Sequence, residues 1–480
     1  MITRFNGFIG PSYTSQSVNV DCQRTVNMFP EVNALSTGKA GEVASLVPTP
    51  GLTLLATLPH SPIRGSWTTS TGVLYTVHGV KLYKILSDWT YSEMGELLTS
   101  SGNVSLSDNG IHLVLVDGTY GYTCKLSDNT FARITDADFY AADQVTYQDG
   151  YFIFNKANSN QWFISGLNDI TFDPLDIASA EGSPDNVVGV ISSNQNVYVF
   201  GAKSTEIYYN SGDADFPFAR IQGAVLDFGC SAPFSIAKIL GDCYFIGGDS
   251  LGSGVVYRIH GLQTQKISTP AIESVIRSLT SSQVASSTAF SYQQGGHLFY
   301  CLNLTGTKTT FVYDASTELW HERTYLNLWF LERHRAQCHS VAYGKNVVGD
   351  YESGKLYSLD PTCYTDNGIP IARIRTAPHI TKDLKFITHN EFILDMETGT
   401  GTDGTGQGID PQVVIRWSDD GGHTWSNEKQ AASGKIGEYK KRVKFRRLGM
   451  SRDRVYEVKI TDPVKVVLIG AQLDLEEGVS

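Results

Sequence analysis

The sequence predicts an all-β fold whose main body is a β-propeller. Three observations carry this prediction: the composition, a hairpin pattern that recurs along the chain, and the scarcity of helical periodicity. Of the 480 residues, 18% are charged and 11% are aromatic, and 46 are glycines. An average soluble protein has about 25% charged residues. Few charges with many aromatic residues and glycines favour short buried strands joined by tight turns.

The hairpin pattern occupies roughly residues 60–365 and returns seven times. In each copy, a strand of alternating or aromatic residues meets a short turn, and a second strand follows. The turns recur about every 46 residues, and a period of about 40–50 residues is typical of propeller blades. About seven blades are therefore predicted. Six to eight blades also fit the spacing, and unrelated hairpins in β-sandwiches are the alternative. The copies lie at 73–83, 111–124, 151–164, 197–209, 243–259, 298–313 and 347–359.

Three parts of the chain are predicted. Residues 1–58 hold recurrent Gly and Pro and no helical period, so they are predicted to form an extended N-terminal arm. The propeller spans 59–365, with one inserted helix that starts at a Thr-Pro pair at 269–270 and continues to about 279. Residues 366–480 are predicted to form a separate β-sandwich-like domain. Its strands are expected at 385–396, 412–417, 442–448, 455–460 and 464–475.

Charge and cysteine content exclude several classes of function. The net charge of −11 argues against a general nucleic-acid coat protein. No apolar run is long enough for a membrane span. The N-terminus also has no basic and apolar signal segment, so synthesis in a cytoplasm is predicted. Seven scattered cysteines show no Cys-x-x-Cys spacing, and the histidines form no ligand cluster. We therefore predict no metal site and no cofactor.

One short motif points to a serine esterase. Residues 248–252 match Gly-x-Ser-x-Gly and include Gly-Asp-Ser-Leu. Ser250 would be the nucleophile, with His423 as base and Asp420 as the residue that orients it. Such a serine needs a strand that turns sharply into a helix, but the residues that follow, 255–259, read as another strand. The sequence therefore favours a hairpin tip over an esterase site.

A second motif, Ser-x-Asp-x-Gly-x-Thr-Trp at 418–425, is the Asp-box of sialidases and other β-proteins. It begins at Ser418. The Asp420 carboxylate is expected to accept turn amides, Gly422 to adopt a positive φ, and Trp425 to pack beneath the hairpin. Sialidases repeat the motif across their blades, whereas here it occurs once, outside the hairpin repeats. A structural turn is therefore predicted rather than glycosidase chemistry, and no catalytic residue is assigned.

A basic segment stands out near the C-terminus. Residues 431–460 hold ten Lys/Arg and three acidic residues. Basic residues alternate with Val443 and Phe445, so a strand here would have one core face and one basic face. Two interpretations stay open: charges that protect a solvated edge strand, or a surface that meets an acidic partner or DNA phosphate. The candidate contact residues are Lys440, Lys441, Arg442, Lys444, Arg446 and Arg447.

Several stretches resemble the tail-hub proteins of short-tailed bacteriophages, also described as packaged-DNA stabilisation proteins or podovirus tail accessory factors. The strongest run is Phe200–Gly212, followed by Asp215–Phe218 and Gly229–Pro233. The likeness spans most of residues 20–320 and is weaker in the C-terminal region. Further similar stretches lie at 21–31, 49–52, 72–83, 267–273 and 312–314.

The resemblance implies a structural, non-enzymatic virion protein of a phage tail. Members of that family form a hexameric ring below the portal and its adaptor and help retain packaged DNA before ejection. They also present surfaces for the tail needle or plug and for receptor-binding tailspikes, and non-specific contact with DNA in the channel stays open. Two other functions are weighed against this one. The first is a propeller-type carbohydrate-active enzyme or binder of the sialidase or depolymerase kind, and the second, less favoured, is the serine esterase.

Overall fold

Seven small antiparallel sheets form the blades of a closed ring, and a two-sheet β-sandwich is joined to one side of it. The computed structural model describes residues 2–32, 43–183, 185–249, 252–383 and 385–478. Within these ranges no helix has the length and apolar character needed to cross a membrane. The all-β propeller, the inserted helical segment and the C-terminal β-sandwich predicted from the sequence are confirmed.

The N-terminal strands precede the blades in the chain. They are β1 (Ile2–Arg4), β2 (Tyr13–Thr14), β3 (Cys22–Val26), β4 (Met28–Val32), β5 (Val43–Pro48) and β6 (Gly51–Thr57).

Blades 1 to 4 each consist of four strands that are consecutive in the sequence. Blade 1 contains β7 (Ile63–Thr68), β8 (Leu74–His78), β9 (Lys81–Ile85) and β10 (Tyr91–Glu96). Blade 2 contains β11 (Ser105–Asp108), β12 (His112–Val116), β13 (Gly121–Lys125) and β14 (Phe131–Arg133). Blade 3 contains β15 (Val145–Gln148), β16 (Tyr151–Asn155), β17 (Gln161–Ile164) and β18 (Ile177–Ser179). Blade 4 contains β19 (Val187–Ser193), β20 (Asn196–Gly201), β21 (Thr205–Asn210) and β22 (Phe218–Leu226).

Blades 5 to 7 depart from this simple pattern. Blade 5 contains β23 (Gly229–Cys230), β24 (Ala237–Ile239), β25 (Asp242–Asp249), β26 (Gly252–His260) and β27 (Gln263–Lys266). Blade 6 contains β28 (Thr288–Gln294), β29 (His297–Asn303), β30 (Thr310–Asp314) and β31 (Leu319–Asn327), which is extended by β32 (Phe330–Arg333). Blade 7 contains β33 (Ala336–Ala342), β34 (Lys345–Asp350) and β35 (Lys355–Asp360), and its fourth strand is β6. The short strands β36 (Thr365–Asp366) and β37 (Ile369–Pro370) extend this sheet.

The seven hairpins predicted from the sequence are the middle two strands of each blade. These strands are rich in apolar and aromatic residues, and every residue of β8 is buried. Both faces of a blade are covered because each blade packs between two neighbours. The inner strands β7, β11, β15 and β19 contact one another in turn, and β33 contacts β7 to complete the circle.

The first and last parts of the propeller meet in blade 7. Strand β6 pairs antiparallel with β35, from Gly51 opposite Asp360 to Thr57 opposite Lys355. Leu52 of β6 is buried in the cluster that holds Phe29 and Tyr357. The ring is therefore closed by a strand that comes from the N-terminal segment.

Helix α1 (Pro270–Arg277) and the shorter α2 (Ser281–Ala285) lie between blades 5 and 6, and a 3-10 turn (Pro233–Ser235) precedes β24. The Thr269 side chain caps α1 by accepting a hydrogen bond from Ile272 N. Ile272 and Ile276 are buried against residues of blades 5 and 6.

The sandwich draws strands from both ends of the chain. One sheet has the order β4-β5-β46-β40-β43, with β1 and β44 at its side, and the other runs β3-β38-β45-β41-β42, with β2 and β39. Its core includes Phe5, Met28, Phe392 and Tyr456. The C-terminal strands are β38 (Arg373–Thr376), β39 (Ile380–Thr381), β40 (Ile387–Met396), β41 (Gln412–Ser418), β42 (Lys429–Ala432), β43 (Val443–Arg446), β44 (Met450–Ser451), β45 (Asp453–Ile460) and β46 (Leu468–Glu477).

The described part of the segment 1–58 is extended, but it does not stand apart as an arm. Strand β1 pairs with β46, and β5 pairs with both β4 and β46. Strand β3 pairs with β38 in the sandwich and, at Val26 opposite Glu322, with β31 in blade 6. These pairings provide hydrogen bonds for backbone groups that would bond to water in a free arm. The segment therefore ties the propeller to the sandwich.

Two buried side chains fix this junction. Asn27, in left-handed conformation, donates to Thr324 Oγ1 and to Ala372 O and accepts from Thr324 N, and so links blade 6 to the sandwich. Arg375 is fully buried, and its donors serve five oxygens of the N-terminal segment. The acceptors are Phe8 O, Pro11 O, Gly7 O, Thr25 Oγ1 and Gln23 Oε1.

Candidate docking surfaces

The basic strand predicted from the sequence forms an edge of the sandwich. Strand β43 is the last strand of its sheet and pairs with β40. Val443 and Phe445 are buried in the sandwich core, while Lys444 and Arg446 point outward. The strand lies at the end of the sandwich that is farthest from blade 6, since β46 and β40 separate it from the N-terminal hairpin.

The six candidate contact residues lie together along this edge, which we call the basic edge: Lys440, Lys441, Arg442, Lys444, Arg446 and Arg447. All are exposed except Lys444, which is half-buried. Glu391 forms ion pairs with Lys444 at 3.4 Å and with Arg446 at 2.9 Å, and Lys441 lies 3.9 Å from Glu438. For Lys440, Arg442 and Arg447, no acidic partner occurs among the residues that the structure describes. At least three positive charges on this edge are thus available to a partner.

The backbone of the edge strand is partly covered. Lys429 Nζ donates to Arg446 O at 3.0 Å and to Arg447 O at 2.9 Å. Arg447 itself has a φ of 58°, which turns the chain away from the strand direction. These two contacts hinder the addition of a further strand at the C-terminal end of β43. The surface therefore offers side-chain charge rather than an open sheet edge.

A shallow depression of about 300 Å³ borders the basic edge. Its lining includes Ile393, Asp395 and Gln472 together with the basic residues Lys441, Arg442 and Lys444. Two exposed apolar side chains, Ile436 and Tyr439, lie in the loop that leads into the edge, and Tyr439 is 74% exposed. Apolar anchors surrounded by charge are typical of protein-binding surfaces.

The Asp-box residues form the tight turn of the β41–β42 hairpin. The Asp420 carboxylate accepts hydrogen bonds from the amides of His423 and Thr424 and from the Thr424 hydroxyl. These bonds hold the pKa of Asp420 well below its usual range. Ser418 Oγ donates to Asp420 Oδ1 at 2.7 Å, and Gly422 has a φ of 101°. Trp425 is half-buried, with the Arg416 guanidinium 4.6 Å from its ring centre.

The esterase residues are distributed over two domains. Ser250 lies outside the described residues, but its flanking strands β25 and β26 form a hairpin of blade 5, with Asp249 opposite Gly252. Asp420 and His423 belong to the sandwich, and Asp420 is engaged by its own turn. The described residues on either side of position 250 are both strands, so those residues form no strand-to-helix elbow. Across the part of the chain that the structure describes, no group of three His, Cys, Asp or Glu could hold a metal ion.

A third surface was missed by sequence reasoning. The turn between β31 and β32 exposes Leu328, Trp329 and Phe330, and Trp329 is 90% exposed. Leu328 has a φ of 55°, in a two-residue hairpin turn where Gly or Asn is normally favoured. Exposed apolar residues at a strained tip indicate contact with another molecule. An aromatic-rich turn between two strand patterns was the available signal in the sequence.

Two protein-family models match the chain. "Bacteriophage P22 Gp10, beta-propeller" matches residues 10–364, and "Bacteriophage P22 Gp10, beta-sandwich" matches residues 372–476. The tail hub protein gp10 of Salmonella phage P22 is 24% identical over 442 residues, which covers 85% of this chain and 87% of that protein.

Two solved structures also match at low identity. The N-terminal domain of Nup159 is 11% identical with a TM-score of 0.42, covering 70% of this chain and 98% of that domain. The β-propeller domain of Cps50 (Swd1) from Myceliophteria thermophila is 9% identical with a TM-score of 0.43, covering 64% of this chain and 98% of that one.

Proposed function

The chain belongs to the bacteriophage P22 Gp10 family, and on that premise we propose that it is a structural hub of a phage tail. The observation that carries the proposal is that both the propeller and the sandwich are matched, in order, from residue 10 to residue 476. A propeller alone would be weak support, because this fold hosts many unrelated functions. The match to the whole architecture, and to most of the length of a named tail hub protein, is much more specific.

We further propose that copies of the chain form a ring, hexameric by the family resemblance, that docks below the portal and adaptor proteins. There it would help retain packaged DNA and present surfaces to a tail needle or plug and to tailspikes. Interlocked domains support this role, because a hub under load needs a propeller and a sandwich that move together. The shared strand β3 and the buried Arg375 and Asn27 provide that connection. The basic edge is our candidate for contact with an acidic protein surface or with DNA phosphate.

The experiment mixes the purified chain with portal-containing particles and examines them by electron microscopy. We expect a ring at a single vertex. A variant with Lys440, Lys441, Arg446 and Arg447 each changed to Glu should decorate at least tenfold fewer particles while remaining folded by circular dichroism. The matched control reverses four exposed basic residues elsewhere, Lys125, Arg133, Lys203 and Lys308, and should decorate normally. Particles that never carry the wild-type chain would contradict the proposal.

We also propose that the protein holds other molecules rather than converting them. The Asp-box carboxylate is consumed by its own turn, and the esterase residues fall in separate domains. The test is a turnover assay with capsular glycans and with ester substrates. We expect no activity above background. Activity that is lost in Ser250→Ala would establish the esterase function instead.

A further inference from the structure

The net negative charge of the molecule comes from one segment of the sequence. Residues 101–230, which span blades 2 to 4, hold sixteen acidic and five basic residues, a net charge of −11. This equals the net charge of the whole chain, so the remaining residues are neutral in sum. The basic edge, by contrast, carries a net positive charge. The charges of this protein are therefore sorted in space as well as in sequence.

Five exposed acidic side chains of this segment lie at one end of blades 3 and 4. They lie in the first turn of blade 3 and in the loops that lead to the outer strands, β18 and β22. Asn210 Nδ2 of blade 4 donates to Asp149 Oδ2 of blade 3 at 3.3 Å, which shows that the two blades adjoin here. All the members are exposed, and we call them the acidic end: Asp149, Asp169, Asp173, Asp213 and Asp215.

The acidic end also displays apolar side chains. Leu167 and Leu175 lie in the same β17–β18 loop as Asp169 and Asp173, and Leu175 is 80% exposed. The basic edge has the matching composition, with Ile436 and Tyr439 exposed beside its cations. Each surface thus combines exposed apolar groups with a net charge, and the two net charges have opposite signs. Such a pair can bury its apolar groups while its charges set the orientation.

The two surfaces lie at opposite extremes of the fold. The sandwich is joined to the ring at blade 6 through β3 and at blade 7 through β6. Blades 3 and 4 lie across the seven-membered ring from these attachments. Within the sandwich, β43 is the strand farthest from the junction. The basic edge of one molecule therefore cannot reach its own acidic end.

We propose that the basic edge of one copy binds the acidic end of a second copy, head to tail. The contact joins two different surfaces, so it is heterologous, and repeated contacts of this kind close into a ring when the rotation between copies permits. This inference rests on the proposed ring and deepens it by naming the two surfaces that join neighbouring copies. DNA is a poorer occupant of the basic edge. It would leave Ile436 and Tyr439 without an apolar counterpart, and it gives the acidic end no role.

Reciprocal charge reversal tests the proposal. The edge variant carries Lys440→Glu, Arg442→Glu and Arg447→Glu, which are the cations without an acidic partner among the described residues. The end variant carries Asp169→Lys, Asp173→Lys and Asp215→Lys. Self-association is measured by sedimentation velocity over a concentration series in about 50 mM and about 500 mM salt, because screening weakens exposed charge pairs.

Wild-type protein should self-associate in low salt and at least tenfold more weakly in high salt. Each variant alone should associate at least tenfold more weakly than wild type, because its two surfaces then carry the same sign. An equimolar mixture of the two variants should recover association, since each reversed surface meets an opposite charge on the other variant. A chain carrying all six substitutions should also recover it. Circular dichroism confirms that every variant is folded.

Three results would overturn the inference: a wild type that stays monomeric throughout, variants that associate normally, or a mixture that fails to recover. An edge variant that loses DNA binding in a mobility-shift assay, with self-association unchanged, would assign the basic edge to DNA. If the substitutions leave self-association unchanged and the wild-type chain still decorates the portal vertex, the surface assignment fails and the proposed function stands. If association behaves as expected but no ring appears at the portal vertex, the proposed function fails instead.

Discussion

The propeller and the sandwich are assembled from the sequence in opposite ways. Blades 1 to 4 are each made of four consecutive strands, so nearly all of their pairings are local. The sandwich combines strands from the first 48 residues with strands from the last 108, and β1 pairs with β46 across almost the whole chain. Local pairing costs little loop-closure entropy, whereas the sandwich cannot form until both chain ends meet.

This difference locates where the molecule is vulnerable. A blade can lose a side chain and still be held by two neighbouring blades. The junction depends on single groups, because Arg375 alone satisfies three backbone carbonyls and two side chains of the N-terminal segment. We therefore expect the largest effects at the junction and the smallest in an isolated turn.

Arg375→Met should have the largest effect on stability. It leaves the carbonyls of Gly7, Phe8 and Pro11 without their donor, and a lost partner at a buried polar site costs about 1–3 kcal/mol. Burial lowers the pKa of Arg375 to about 9, so removing the buried charge offsets part of the loss. We expect a net loss of about 3–5 kcal/mol in the free energy of unfolding, seen as faster hydrogen exchange in 2–26 and 373–477 than in 105–226.

The control Arg133→Met, at an exposed site of blade 2, should change stability by less than about 0.5 kcal/mol. Equal effects in both domains would contradict a sandwich-specific role.

Leu52→Ala tests whether the N-terminal strand closes the ring. Leu52 is 1% exposed, and truncation of such a side chain costs about 3 kcal/mol. Leu54→Ala on the same strand is the matched control, because Leu54 is 43% exposed. Calorimetry should show a lowered propeller transition for the first variant and almost none for the second. Similar shifts for both would mean that backbone pairing of β6, rather than its side chain, closes the ring.

The sequence predicted the parts of the fold that repeat. The middle strands of all seven blades were found because their aromatic and alternating apolar residues, joined by short turns, recur at a regular spacing. The inner and outer strands, such as β7 and β14, were not singled out because they are partly exposed and less apolar. The N-terminal pairings were missed for a different reason: no local pattern at Cys22–Val26 reveals that its partners lie about 300 and 350 residues away.

The sequence revealed the basic edge but not the other two surfaces, again because only local patterns can be recognised in a sequence. Alternation of Val443 and Phe445 with basic residues revealed the basic edge, because period-2 alternation is a local signal. The acidic end was hidden in the whole-chain charge, although a count over 101–230 would have revealed it. The tip at Leu328–Phe330 was missed because exposure at a turn depends on what packs around it.

A fall in pH should destabilise the propeller more than the sandwich. Burial lowers the pKa of His78 to about 3, that of His339 to about 4 and that of His321 to about 3, and it also lowers the pKa of His334. In the sandwich, among the described residues, this holds only for His389, whose pKa falls to about 3. The folded protein keeps these rings neutral while the unfolded chain binds protons below about pH 6.5. Stability is therefore present above that pH and is lost as the pH falls.

Each of these buried histidines lowers the free energy of unfolding by about 1.4 kcal/mol for every pH unit below about 6.5. Asp366 and His297 oppose the trend in the propeller. Burial raises the pKa of Asp366 to about 6, and the hydrogen bond with Asp314 raises the pKa of His297 above its usual value, so the folded state binds both protons more readily. Between pH 6.5 and 5, the propeller should still lose more stability than the sandwich, as read from hydrogen exchange in 105–226 and 387–475. His389→Gln should make the sandwich response nearly flat. A sandwich that unfolds first on acidification would contradict this assignment.

The smallest effect is expected from Asp420→Asn, in the turn of the β41–β42 hairpin. The substitution removes a carboxylate that accepts from two amides and two hydroxyls, so the amides of His423 and Thr424 should exchange several-fold faster. The thermal midpoint should barely move, because the turn is exposed and lies beside the sandwich core rather than within it. Asp403→Asn, in the glycine-rich loop, is the matched control and should change neither quantity. If Asp420→Asn instead unfolded the sandwich, the Asp-box would be an organising element of the whole domain. The contrast between a robust local turn and a sensitive long-range junction would then be lost.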